Sequence, residues 1–455
     1  MLNVNSRMRP WRNILLVLLT GFAATALLVQ FRPSHSFEGK PVAAWFRELN
    51  GMDATARADA ADAIHRMGSL AIPHLHEMLQ QQDGPVQEQA ARLSKRFGVP
   101  YRDVDPVDVR MRAAKLLSEL PQCSTESAPI LIEALGDEEG RVRAEAARSL
   151  IRLKRLDDLL EATRSDNPLI RLHSLRALVE VDSRNPQTLH AAMRLTSDRN
   201  ADVREEAAQA LGQLQVNLSD QCTALESVLK DAHPAVRVAA CRSLANLGAA
   251  AVMALDACGR ALSDPEPAVR VQAASACWRI SRQPTPARET LMAALHEPGV
   301  GWEAALILGE MGAAAECAVP ELVRALKRER VPRPFRTPPS SATALGRIGA
   351  AAVNPLVEAL RDNSTLVRIH AALALALVGG PATNAIPALQ NALTDENADV
   401  QNASIVALIQ IGAQERSLVE PLRRMLAAED IYLRSMAVNA LRRIAPEQQW
   451  EALAE

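Results

Sequence analysis

One spacing governs this chain. From Val109 onward, an aliphatic residue followed by Arg recurs about every 33 residues. The arginines are Arg110, Arg143, Arg171, Arg204, Arg237, Arg270, Arg368 and Arg434, and Gln401 stands in one further place. The steps between them are 33, 28, 33, 33, 33, 98, 33 and 33 residues. Three residues after each stands Ala or Ser, from Ala113 and Ala146 to Ser404 and Ala437. Seven residues after stands Leu, except at Cys277. On a helix the aliphatic, small and Leu positions are i, i+4 and i+8, which share one face. The small residue lets a neighbouring helix approach, and its large flanks fill the groove.

A glycine often closes this helix, as at Gly68, Gly248, Gly312, Gly349 and Gly412, where a C-cap calls for left-handed backbone. A second helix then starts with proline in its first turn, at Pro73, Pro320, Pro355 and Pro387. Asp opens the next loop at Asp137, Asp198, Asp231, Asp264, Asp362 and Asp395. The unit is a helix–turn–helix that cannot bury its apolar faces alone, so units must stack. Hydrophobic residues make up 48% of the 455 residues and aromatics only 3%, so small and aliphatic side chains fill the core. The spacing predicts an all-α stack of roughly eleven to twelve helix pairs with an extended concave face and almost no sheet.

The pattern D-x-x-x-x-V-R-x-x-A-A-x-x-L-G, as it runs from Asp198 to Gly212, resembles the HEAT repeat in the short form named after phycobilisome lyases. The resemblance covers roughly residues 41–455 and implies a right-handed α–α superhelix of the HEAT/armadillo kind. The stretch Glu38-Gly39-Lys40-Pro41 with Trp45 resembles the lead-in of bacterial HEAT-repeat proteins that follow a membrane anchor.

The N-terminus has a different character. Arg7, Arg9 and Arg12 precede an apolar stretch from Ile14 to Phe31. Its length is near the lower limit for a bilayer span, and the arginines place residues 1–12 in the cytoplasm. Residues 13–31 are expected to be one transmembrane helix, 32–40 a linker, and 41–455 a solenoid on the exterior face of a bacterial cytoplasmic membrane. A cleaved signal sequence is the alternative, with Ala24-Thr25-Ala26 as a small-x-small site. Both readings export the body of the protein.

The repeat is irregular at 80–108, 154–165 and 327–340. Val99 to Asp108 reads as an extended loop, and 154–165 as a shortened second helix that explains the 28-residue step. The third break carries Lys327, Arg328, Arg330, Arg333, Phe335 and Arg336 among four prolines. Such a cluster suits an acidic partner or a polyanion, or is a degenerate repeat with solvated arginines.

Catalytic signatures are missing. Among relatives of this scaffold, deoxyhypusine hydroxylase holds iron with His-Glu pairs just after the repeat arginine. The matching positions here read Ala144-Glu145, Leu172-His173, Glu205-Glu206, Val238-Ala239 and Ile369-His370. His76-Glu77 and His296-Glu297 lie elsewhere, about 220 residues apart. Bilin-lyase chemistry offers no transferable residue. Gly309, Gly312, Gly346 and Gly349 read as helix ends rather than nucleotide loops. His65, His74 and His76 read as surface or capping groups, and the six dispersed cysteines as small buried hydrophobes. A net charge of −2 disfavours nucleic acid as a partner. The recurring arginines are expected to form an inter-repeat ladder with the Asp of the preceding loop. The expected role is a non-catalytic scaffold for a protein partner, without cofactor or metal, held to the membrane through residues 13–31.

Overall fold

The computed structural model describes residues 36–51, 53–80, 105–328, 339–412, 418–427 and 431–445. The expected anchor at 13–31, most of the irregular unit after residue 80, and Arg330, Arg333, Phe335 and Arg336 lie outside them. The chain divides into two compact units, residues 1–210 with 214–216, and 211–213 with 217–455.

The first unit opens with a two-stranded antiparallel ribbon, β1 (Ser36–Phe37) and β2 (Lys40–Pro41). Residues 36–40, expected to belong to a linker over 32–40, form this ribbon. Trp45 donates its indole N–H to the Phe37 carbonyl, Lys40 lies over the Trp45 ring, and Arg66 grips the Glu38 carboxylate with two bonds. These contacts fasten residues 36–41 to α1 (Val42–Leu49) and α2 (Ala54–Met67). Then follow α3 (Ile72–Leu79), α4 (Pro106–Ser118), α5 (Ser124–Ala134), α6 (Gly140–Leu153), α7 (Leu156–Ala162), α8 (Pro168–Val181), α9 (Pro186–Leu195) and α10 (Ala201–Leu211). Helix α4 begins inside the stretch read as an extended loop, because Asp105 caps it and Pro106 occupies its first position.

The second unit contains α11 (Leu218–Val228), α12 (Pro234–Leu247), α13 (Leu255–Ala261), α14 (Pro267–Ser281), α15 (Ala287–Ala294), α16 (Gly301–Met311), α17 (Val319–Ala325), α18 (Ser340–Ile348) and α19 (Val353–Ala359). It ends with α20 (Thr365–Val378), α21 (Ile386–Ala392), α22 (Ala398–Ile411), α23 (Val419–Met425) and α24 (Ile431–Ile444). First helices pack on first helices, as α12 does on α14 and α20 on α22, and each second helix packs on its own partner. The residues that follow the repeat pattern form the core. Val142, Ala146 and Leu150 are sealed from solvent, as are Val236, Ala240 and Leu244. Pro234–Ala261 is apolar and long enough to cross a membrane by composition, but it comprises α12, a 3-10 turn and α13; Val236, Ala240 and Leu244 line this core, while Val252 and Met253 are exposed.

The glycines depart from expectation in two ways. Gly248 (φ 58°, ψ −139°) and Gly312 (φ 56°, ψ −131°) have positive φ without being left-handed helical, and of the five closing glycines named above only Gly412 (φ 89°, ψ 22°) adopts that region. A Cβ is not tolerated in the mirror-image extended region, so Gly there turns the chain straight into a 3-10 segment that leads to the second helix. Gly309 and Gly346, read as helix ends, lie inside α16 and α18. A Cβ on Gly309 would come within 2.8 Å of the Ala344 Cα on α18. The second glycine of L-G-x-x-G is therefore the helix end, and the first is a close-approach point between first helices. Gly309→Ala is expected to cost about 1–3 kcal/mol through overpacking, read as a lower urea midpoint; an unchanged midpoint would exclude this close approach.

The 28-residue step also has a different origin. At seven residues, α7 is as long as α13, α17, α19 and α21. The contraction lies in the connection, where Lys154 in left-handed conformation leads directly into α7 with no 3-10 turn.

Candidate functional site

The repeating arginines form rungs, with a geometry that differs from the expected one. Arg171, Arg237, Arg270 and Arg368 each hold the loop before their own helix by backbone carbonyls, and the carboxylate comes from the loop 27 residues further on. Arg171 donates from Nε and Nη2 to both Asp198 oxygens at 2.7 and 2.6 Å, and from Nη1 to the Ser165 and Asp166 carbonyls. Arg237 binds Asp264 at 2.8 and 2.7 Å, and Arg368 binds Asp395 at 2.8 and 3.0 Å. Arg110 lies 2.9 Å from Asp137. Arg270 donates to Glu297, a rung the Asp pattern did not reveal although its spacing from Arg270 is the same 27 residues. The Asp loops are thus shared. Arg237 holds the Asp264 carboxylate while Arg270 holds the Asp264 carbonyl. Arg204 and Gln401 supply the carbonyl bonds to Asp198 and Asp395. Arg434 lies in α24.

The same Asp side chains shape their loops. Oδ1 of Asp198, Asp264 and Asp395 accepts the amide N–H two residues on, forming an Asx turn. Burial raises the Asp198 carboxyl pKa, but the Arg171 bonds and the Asn200 amide outweigh it, and the net shift is below the usual value.

Arg143 is the exception. Its step is the short one, so Ile170 stands 27 residues on and supplies no carboxylate. Arg143 donates instead from Nε to Nε2 of His173 on α8, at 3.1 Å. Burial first, then the Arg176 and Arg143 charges, push the His173 pKa down to about 4. The ring is therefore neutral and its Nε2 lone pair accepts the bond. The unfolded chain takes up a proton near pH 6.5, and the folded chain resists until about 4. This joint's contribution is complete above pH 6.5 and is lost as pH falls toward 4. Because His173 is only half buried, the expected loss is about 1–2 kcal/mol. It is measured as the difference in acid sensitivity between wild type and His173→Gln by urea unfolding at several pH values; equal slopes would exclude it.

The other sequence candidates are dispersed. Nδ1–H of His65 donates to the Ala61 carbonyl at 2.7 Å, His74 packs on the Phe46 ring, and His76 meets Glu133 at 3.3 Å. His370 is sealed from solvent and donates from Nδ1 to the Leu326 carbonyl at 3.0 Å. Among the described residues, no group of three His, Cys, Asp or Glu could hold a metal ion. All six cysteines are free, and Cys317 alone is exposed. Burial pushes the Cys241 thiol up to about 12 and Cys277 to about 11, so both remain protonated and unreactive. Of the basic cluster, Lys327 pairs with Asp362 at 3.2 Å and Arg328 donates to the His296 carbonyl.

A groove lies between the second helices α7 and α9, with a volume of about 410 Å³. Its floor includes Leu160, Thr163 and Ala191, and its walls carry Asp157, Glu161, Arg164, His190 and Arg194. No sequence signal marks it, because these positions lie outside the repeating pattern.

The family model for HEAT repeats matches residues 156–245, 222–286 and 340–409. The chain carries HEAT repeats. In fold it is similar to Kap95p, solved with RanGDP, at TM-score 0.56 and 14% identity over 90% of this chain and 62% of that one. Importin beta gives TM-score 0.56 at 15% identity with the same coverage. Kap121p bound to RanGTP gives 0.51 at 14% identity, covering 89% of this chain and 48% of that one. The chain thus spans less than two thirds of these HEAT-type proteins. No curated protein matches it by sequence.

Proposed function

We propose that this HEAT-repeat chain is a non-catalytic scaffold that binds another protein along its helical surface. The observation that carries this reading is how the polar side chains are used. The regular arginines are consumed by the rungs, and the two histidines nearest the hydroxylase positions, His173 and His370, are consumed by structural hydrogen bonds. The exposed side chains of the second helices do not repeat from unit to unit, as Leu156–Ala162, Leu255–Ala261 and Val319–Ala325 show, which suits recognition of a partner. Kap95p and Kap121p share the fold and are solved with protein partners, RanGDP, RanGTP and Nup1 among them; that likeness is one of fold. Residues 13–31 tether the scaffold to a bacterial cytoplasmic membrane, with the repeats on the exterior side.

The test is affinity capture of the full-length protein from native membranes after mild cross-linking, with mass spectrometry of the eluate. A reproducible stoichiometric protein partner is expected. Purified protein carrying stoichiometric iron or a pigment would overturn the reading in favour of an enzyme of the hydroxylase or bilin-lyase type.

A further inference from the structure

Arg194 differs from the rung arginines in what it binds. Its guanidinium makes three bonds, all to Thr163 at the C-terminal end of α7: to the carbonyl at 3.4 and 3.3 Å and to Oγ1 at 2.7 Å. Thr163 is sealed from solvent, and its hydroxyl in turn donates to the Leu160 carbonyl. The guanidinium is thus held in one orientation by neutral acceptors, without an ion pair. Arg164 lies at the same end of the groove, and its one carboxylate is Glu161, at 2.8 Å in an exposed pair. Two guanidiniums therefore face Glu161 in the groove lining, and the nearby Asp198 carboxylate is already held by Arg171. Burial first, and the Arg164 charge second, lower the Arg194 pKa against the opposing pull of Asp198 and Glu161.

The opposite end has the opposite sign. Along α7 the lining runs from Asp157 in the first turn to Thr163 and Arg164 just past the last. Along α9 it runs from Gln187 to Arg194. Because Arg194 bonds Thr163, the two basic ends coincide, and Asp157 and Gln187 lie at the far end. Seven helical residues separate Asp157 from Arg164, roughly 10 Å at about 1.5 Å per residue. An extended peptide covers that span in about three residues at roughly 3.3 Å each.

We propose that the α7–α9 groove binds an extended segment of a partner protein, with an acidic side chain at Arg194 and Arg164 and a basic side chain, three residues away, at Asp157. This rests on the scaffold reading and supplies its recognition chemistry. A carboxylate on a pre-oriented guanidinium forms a charge-assisted bond without the ordering cost of an unrestrained arginine. Leu160 and Ala191 offer the intervening residues an apolar floor.

The test uses the full chain and synthetic peptides followed by fluorescence anisotropy. The probe is a labelled peptide with Lys-Ala-Ala-Glu at its centre, and the comparison peptides carry Gln in place of Lys, Glu or both. The doubly charged peptide is expected to bind at least tenfold more tightly than the uncharged one, and to weaken as salt rises. Arg194→Gln is expected to remove at least tenfold of that affinity, and Arg260→Gln on α13 none. Because Arg194 also caps α7, Asp157→Lys is the second variant. It should reject the Lys peptide and accept a peptide with Glu at both positions, which a folding defect would not produce. Equal binding of all four peptides, or unchanged binding by Arg194→Gln, would overturn the groove assignment. If a cross-linked partner is also retained by Arg194→Gln protein, the scaffold reading stands without this groove.

Discussion

Arg171→Met is expected to destabilise the first unit by about 3–5 kcal/mol. The Arg171–Asp198 pair is the most buried of the rungs, with 6% and 8% of its side chains exposed. Removing the guanidinium strands the Asp198 carboxylate, and it also releases the Ser165 and Asp166 carbonyls. Replacing both partners, Arg171→Met with Asp198→Leu, should recover much of the loss, because the stranded charge is then absent. Acid should act on wild type in the same direction. The folded pKa of Asp198 is below its unfolded value, so its contribution is present above the unfolded pKa and declines as pH falls through the folded one. Urea unfolding of the three proteins between pH 7 and pH 3 measures this. A single variant as stable as wild type would show that the rungs contribute nothing.

Leu244→Asp is expected to have a larger effect still. Leu244 has no exposed surface and lies on the face of α12 that meets the core. Deleting a buried Leu costs about 2.7–5 kcal/mol, and an unpaired carboxylate in its place adds several more. Because neighbouring pairs depend on each other's apolar faces, loss should spread along the second unit rather than remain local. Hydrogen exchange should show α12, α13 and α14 losing protection together. Protection confined to a loss in α12 would mean that the pairs fold independently.

The period, the core face and the helix ends could be read from the chain because they depend on residue type at fixed spacing. Val-Arg-x-x-Ala-x-x-x-Leu specifies a face by itself, and Val236, Ala240 and Leu244 occupy it. What escaped was set by distance between repeats. The carboxylate partner of each rung is 27 residues ahead rather than in the nearer loop, and no local pattern distinguishes the two Asp loops flanking an arginine. Gly309 looks like a helix end because Gly usually marks one; its true role is visible only once Ala344 of the next first helix is in place. The groove at Arg194 escaped for the opposite reason. Its chemistry comes from side chains that interrupt the periodicity, and a search for repetition passes over them.

The unlike joint between α6 and α8 has a mechanical meaning. When a stacked array is pulled from its ends, the force passes through every interface in turn, and extension concentrates where the connection is most compliant. Charge-assisted double bonds such as those of Arg171 and Arg237 are stiff, whereas a single bond onto a neutral imidazole yields first. Among the described joints of the first unit, the one at the contracted repeat is therefore expected to yield first, and acid should weaken it further by charging His173.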